Sequence, residues 1–401
     1  MPKKQSPDQP RHVTCLKQNL SRALTIACKA VAPRSTLPIL GHVLLKADDG
    51  RLHLTGTNLE VALTARAGAK LEGDPWAVTL PAKTFADVVH ALPDDDADAV
   101  TLDYLPKTQT VSIHSGSFNT NLKGIAAEEF PLVDEIGDGG FTLESIALRD
   151  AVERTIFAAA TDEGRPVLSG VLFRSDPKAN ALTLAAADGF RLAVSTLPAP
   201  QSLPDFSLIV PARSLAMFLP LLAEDELTHV VVLNGHDGTP DRIGFRCGAT
   251  EMIARLVEGA FPDYQAVIPK QSALSVTVDI AALQSASKAA DVIARDNGRT
   301  LRFSLVPQQA TPDGVIPSGL ELVATSAEIG DHRSFVHADV AGGPLAMGLN
   351  NKYLLDALNA MPDDDERVVM EFNTDASPIV LRPAVGDNYL SLIMPMHLLG
   401  K

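Results

Sequence analysis

Apolar positions along the chain recur in two rhythms. Leu20, Leu24, Ala27 and Val31 fall at i, i+4, i+7 and i+11, the stripe of an amphipathic helix. Elsewhere apolar residues alternate with polar ones over short runs, the period of half-buried strands. Together the rhythms predict a strand and then a helix opening each of three segments, with the helices at about 15–32, 147–161 and 280–295. Short strands follow, then second helices at about 83–92, 213–222 and 352–361, then further strands. Asp49-Gly50, Asn234-Gly235 and Asp237-Gly238 are hairpin signals. The expected fold class is α+β: three tandem domains of antiparallel sheet with two helices each.

The three segments are also similar in sequence. Arg34, Arg165 and Arg299 each precede an apolar strand-like run, at spacings of 131 and 134 residues. Leu80-Pro-Ala-Lys83, Val210-Pro-Ala-Arg213 and Leu349-Asn-Asn-Lys352 each place a basic residue at the start of a second helix. Glu129-Phe-Pro-Leu-Val and Ala260-Phe-Pro-Asp-Tyr lie 131 residues apart, and Ile393-Met-Pro-Met is read as a third copy a further 133 on. A period near 130 is too long for a solenoid and fits domain-sized repeats. Ile136-Gly-Asp-Gly-Gly140 and Pro269-Lys-Gln-Ser272 read as linkers, giving domains at 1–138, 139–270 and 271–401, with residues 1–10 a frayed tail.

Charge sharpens this picture. The 401 residues carry a net charge of −15, which argues against a surface that grips nucleic acid everywhere. Yet the six predicted helices hold ten basic residues against five acidic ones. The basic residues proposed to face a phosphate backbone are Arg22, Lys29, Lys83, Arg149, Arg154, Arg213, Lys288, Arg295 and Lys352. Arg22 and Lys29 lie opposite the apolar stripe, and Lys288 and Arg295 repeat their i, i+7 relation. Basic helix faces on an acidic body imply phosphate contact without base readout. With one Trp and four Tyr, the chain is too poor in aromatic residues for a single-strand stacking groove.

Other chemistries find little support. Cys15, Cys28 and Cys247 show no metal-ligand spacing, which fits a reducing cytoplasm. No apolar run reaches the ~18–20 residues a spanning helix needs. Asp94-Asp-Asp96, Glu224-Asp-Glu226 and Asp363-Asp-Asp-Glu366 could hold Mg²⁺, and a metal-dependent phosphoryl hydrolase is the alternative function. Each run follows the second helix of its repeat, however, and reads as a solvated loop. No metal or cofactor is expected, and no nucleotide-binding or hydrolase motif occurs.

The repeats, Thr36-Leu-Pro-Ile-Leu-Gly41, Asp188-Gly-Phe-Arg-Leu-Ala193, Phe261-Pro-Asp-Tyr264 and Met394-Pro-Met-His-Leu398 resemble the bacterial DNA polymerase III beta subunits, the sliding clamps, from about residue 11 to 398. The resemblance implies a non-catalytic processivity factor: a head-to-tail homodimer forming a six-domain ring around duplex DNA. It implies as partners the polymerase III alpha subunit, the clamp loader delta subunit, and other polymerases and repair proteins, held through short peptides. By resemblance the peptide pocket comprises Leu168, Gly189, Phe190, Arg191, Leu192, Pro262, Val267, Pro378, Leu392, Ile393, Met394, Pro395, Met396 and Leu398. Phe190, Ala266 and His397 depart from the His, Arg and Arg of the best-known clamps. Arg34 is placed near the DNA path, and Val292 and Ile293 at the dimer seam; for Arg165 and Arg299 a repeated structural ion pair is the competing role.

Overall fold

The computed structural model describes residues 10–32, 34–93, 99–162, 164–223, 226–311, 314–362 and 364–397. Among them lie six α-helices: α1 (Lys17–Cys28), α2 (Ala82–Ala91), α3 (Ser145–Ile156), α4 (Ala212–Phe218), α5 (Ile280–Ala294) and α6 (Asn351–Asn359). Each repeat runs strand, helix, four strands, helix, three strands; the first adds a two-residue strand, Ile125–Ala126, and the third a small hairpin of Gln309–Thr311 with Gly314–Ile316. The α1 stripe is buried as expected, with Leu20, Leu24 and Ala27 all at 0% exposure. Its C-terminal member Val31 lies beyond the helix, half-buried. Asp279 and Asn350 cap α5 and α6 by accepting from the amides of Ala282 and Lys352. The Asp49-Gly50 turn has both residues at positive φ. At 234–240 the positive-φ residue is Gly238, so Asp237-Gly238 makes the turn and Asn234-Gly235 does not.

The chain divides into two compact units whose boundaries do not follow the sequence repeats. One comprises residues up to 146 with 216–256; the other comprises 147–215 with the residues from 257 onward. Each is built on one large antiparallel sheet, of thirteen and twelve strands. The central repeat is shared between them. Its strands Phe141–Glu144, Leu227–Asn234, Pro240–Cys247 and Thr250–Arg255 belong to the first sheet. Its strands Gly170–Asp176, Ala181–Ala187, Arg191–Pro198 and Ser207–Pro211 belong to the second.

Within each unit two repeats join edge to edge. In the first, Val61–Glu72 pairs with Thr250–Arg255, from Val61↔Ala254 to Ala65↔Thr250. In the second, Arg191–Pro198 pairs with Tyr389–Ile393, from Arg191↔Ile393 to Ser195↔Tyr389. Even the flanking hydrogen bonds correspond: Arg255 N to Glu60 O at 2.8 Å matches Met394 N to Phe190 O at 2.8 Å, and Arg66 N to Ala249 O matches Thr196 N to Asn388 O. The sequence linker at 136–140 is part of the first unit's structure: Ile136 is buried against Val231 and Ile253. Ile393-Met-Pro-Met is not the third copy of the Phe-Pro motif. Ile393 ends the seam strand itself, whereas Phe261 lies six residues beyond the end of the corresponding strand, Thr250–Arg255.

Helices lie on the sheets in pairs, α1 beside α2 and α5 beside α6. Polar links tie the second pair: Asn351 Nδ2 donates to Ser287 O at 2.9 Å and Gln284 Nε2 to Leu358 O at 3.3 Å. At its centre Asp291, 3% exposed, accepts from Arg295 Nε at 2.8 Å, Arg299 Nη1 at 3.0 Å and Asn351 Nδ2 at 3.2 Å. Arg299 adopts φ +56°, a left-handed conformation, with its amide on Ala294 O and its carbonyl taking the Asn351 amide. It is a structural ion pair. Burial alone would raise the Asp291 pKa; hydrogen bonds from Arg295 and Asn351, with the charge of Arg299, outweigh it and hold the carboxyl below the usual range. A depressed folded-state pKa contributes stability above the unfolded value near 4 that is lost as pH falls through the folded one. Asp291→Asn is therefore expected to cost about 2 kcal/mol at pH 7, with the gap to wild type closing below pH ~4, read by urea denaturation across pH.

Candidate functional site

Exposed basic residues lie on the helix pairs, and an apolar surface surrounds the second seam. On the helix pairs, Arg22 of α1, Lys29 just past its end, Lys83 of α2 and Lys288 of α5 are exposed, as is Arg34. These five cations make no ion pair among the described residues. Three others are already neutralised one helical turn away: Arg154 by Asp150 at 3.1 Å, Arg295 by Asp291 at 2.8 Å and Lys352 by Asp356 at 2.7 Å. Arg149 is half-buried and Arg213 exposed. Lys17, counted among the basic helix charges from sequence, is buried with Nζ donating to Leu92 O, so it is a packing residue. The signal for this is its position three residues before Leu20, on the same helix face as the apolar stripe.

The apolar surface surrounds the second seam. A tight turn starts it. Asp188 Oδ1 accepts from the amides of Phe190 at 2.8 Å and Arg191 at 3.0 Å, and Gly189 takes φ +91°, which favours glycine. The turn thrusts Phe190 outward, 58% exposed, and draws Arg191 inward, 8% exposed. The Arg191 guanidinium bonds Asp188 Oδ2 at 3.0 Å and Asp356 Oδ2 at 2.5 Å. It also lies 4.5 Å from the Tyr353 ring centroid and 5.3 Å from that of Phe157. Its neighbours Asp356, Tyr353 and Phe157 are not among the site residues read from sequence, and Asp188 appears there only as the start of the Asp188-Gly-Phe-Arg motif.

The predicted pocket residues separate by depth. Leu192, Leu392 and Ile393 are buried in or beside the seam, with Leu192 and Leu392 in a cluster with Leu172, Val380, Leu390 and Tyr264; they form a floor rather than open wall. Leu168 is at the margin of burial at 9%. Above the floor, Gly189, Phe190, Pro262, Val267 and Met394 are exposed, and Pro378, Pro395 and Met396 are half-buried. Met394 and Met396 hang on backbone bonds to Phe190 O and Gly348 O, both 2.8 Å. This explains how a terminal segment is held on the sheet. Ala266 and His397 are exposed. Leu398 lies outside the described residues. Val292 is exposed on α5 at 61%, and Ile293 is half-buried.

Among the described residues no group of three or more His, Cys, Asp or Glu side chains could hold a metal ion. Of the acidic runs, Asp94–Asp96, Glu224, Asp225 and Asp363 lie outside the described residues. Glu226 accepts a weak bond from Cys247 Sγ at 3.6 Å. All three cysteines are free, and burial pushes the Cys15 thiol up to about 12.

Three repeats of helices on edge-joined antiparallel sheets define a tandem clamp-domain protein. The N-terminal, central and C-terminal domains of the DNA polymerase III beta subunit match residues 11–134, 142–263 and 265–397. The beta sliding clamp of Pseudomonas putida is 30% identical over 390 residues, covering 96% of this chain and 100% of that protein. The crystal structure of the DNA polymerase III beta subunit from Pseudomonas aeruginosa superposes with a TM-score of 0.85 at 29% identity, covering 96% of this chain and 100% of that one. The Thermotoga maritima beta subunit gives 0.82 at 27%, over 97% and 100%. The chain belongs to the DNA polymerase III beta-subunit family, the beta sliding clamps, and serves polymerase processivity without catalysing a reaction. The phosphoryl-hydrolase alternative is set aside.

Arg191 carries the geometry of the apolar surface, because it ties the turn to α6. Lysine would keep the charge but lose the planar fork and the ring contacts. Arg191→Lys is expected to lower stability by about 2 kcal/mol, against less than ~0.5 for the exposed Phe190→Ala, measured by chemical denaturation.

Proposed function

We propose that two copies of this chain close head to tail around duplex DNA, and that the ring carries polymerases by short peptides bound at the second seam. The observation that carries the reading is the repeated seam. Twice the third strand of one repeat's run of four pairs with the last strand of the next repeat, in one register. Phe118–Lys123, the third strand after α2 in the first repeat, ends its sheet, and Gly330–Ala341 of the third repeat has one edge unpaired over residues 330–337 within the chain. Joining these two edges between copies repeats the seam a third time and satisfies their backbone groups. Phe118 and Phe335, 48% and 40% exposed, would be covered, with Val292 and Ile293 on the adjacent helix. The domains are taken as 1–138, 139–270 and 271–401, and the setting as the cytoplasm; among the described residues no helix is long and apolar enough to cross a membrane.

DNA is held by topology more than affinity. A sliding ring gains from weak, sequence-blind phosphate contact through residues such as Arg22, Lys29, Arg34, Lys83 and Lys288, while the net charge of −15 discourages stray binding. The cations already paired with carboxylates would contribute less. The partners are the polymerase III alpha subunit, the clamp loader delta subunit, and other polymerases and repair proteins. Their peptides would present apolar side chains to Phe190, Val267, Met394 and Met396. Burying a few such groups yields about 1.5–3 kcal/mol each before ordering costs, which favours exchangeable binding.

Light scattering is expected to give a dimer of about 85 kDa, twice the 42.5 kDa chain, and loaded protein should stay on circular DNA but run off linear DNA. A stable monomer at micromolar concentration would contradict closure. For the basic face, Arg22→Gln with Lys29→Gln should reduce the slope of log K against log salt by up to about 2, about 0.9 for each phosphate no longer neutralised. Lys352→Gln should change it by less than about half a unit. Anisotropy of a short labelled duplex measures both.

A further inference from the structure

The two seams are one joint built twice, yet one is sealed and the other open. One strand out from each seam, Gly244 and Val380 hold the same register position, opposite Ile253 and Leu392. Val380 is 1% exposed and fills its place with a side chain. At Gly244 a Cβ would stand 2.9 Å from Ile136 Cγ1 and 3.0 Å from its Cδ1, so Ile136 occupies the space that a side chain there would need. Ile136 is 4% exposed; Val267, 131 residues later at the repeat spacing, is 51% exposed. The segment carrying Ile136 is fastened from the same strand: Arg246 Nη2 donates to Ile136 O, and Arg242 pairs with Asp134. The residue corresponding to Arg242 in the second seam is Pro378, which offers no such donor.

We propose that the first seam is a second peptide groove held shut by the chain's own Ile136, so that each chain offers one peptide site instead of two. The proposal rests on the peptide reading of the second seam. Three paired differences carry it: glycine for valine beneath, arginine for proline beside, and a buried isoleucine for an exposed valine above. An apolar side chain seated between these strands already marks what the groove accepts, a short segment with an aliphatic or aromatic residue. The occupant is intramolecular, and its high effective concentration excludes a free peptide of modest affinity.

The test is a titration of a fluorescein-labelled hexapeptide of the Gln-x-x-Leu-x-Phe type against the full-length protein, reading stoichiometry by calorimetry and anisotropy. Wild type should bind one peptide per chain. Ile136→Ala, which removes the plug, should bind two, the second at least tenfold more weakly. Gly244→Ala keeps every apolar group and displaces Ile136 by contact, so it tests the same point if the first variant unfolds. Deleting residues 394–401 from either variant should leave the new site alone. Folded variants that still bind one peptide, beside a wild type that binds one, would overturn this proposal only. A wild type that binds none would overturn the reading of the second seam, and this proposal with it.

Discussion

The structure depends on antiparallel strand pairing across repeat boundaries. A strand at the edge of a sheet carries a row of donors and acceptors that must be satisfied, and here the neighbouring repeat supplies them. Five residue pairs and two flanking bonds make each seam. Side chains then differentiate the two. The first is pinned by charge, with Arg66 and Arg246 both on Glu251. The second is pinned by apolar packing of Leu192 with Leu392. Because the ladder is made by backbone, the same joint tolerates these different fillings, and repeats whose side chains differ at the seam can be assembled alike.

This pairing divides the central repeat between two sheets. Its opening strand and its last three hydrogen-bond with the first repeat's sheet, and its middle four with the third's. A repeat is thus the unit of sequence, while the unit of packing is a half-repeat joined to its neighbour. The segment at 136–140 has the glycines of a linker, yet Ile136 is among the buried residues because a glycine on the facing strand leaves room for it.

In the proposed ring, the relevant physics on the helices is the competition between phosphate and carboxylate for the same cation. Arg22, Lys29 and Lys288 are left to solvent, whereas Arg295 and Arg299 share the buried Asp291. A cation fixed by a buried carboxylate organises its helix end and is poorly available to a passing backbone. Spreading the free charges over separate helices would keep each phosphate contact of the proposed ring weak, as movement along DNA requires.

Much of this was legible in the chain itself. Period and spacing located all six helices within a few residues, the repeat near 130 gave three similar segments, and the α1 stripe predicted which side of the helix faces solvent. These are local properties, fixed by side-chain geometry over a few turns. The resemblance placed Phe190 and Met394 in a peptide pocket, and both are exposed. What only the tertiary structure decided were the long-range pairings. They make Leu192, Leu392 and Ile393 buried floor, turn Arg191 inward between two rings and two carboxylates, and put Gly244 under Ile136. Each of these outcomes depends on which strand lies beside which, across 100 residues or more in several cases, and no local pattern encodes the register of strands so far apart.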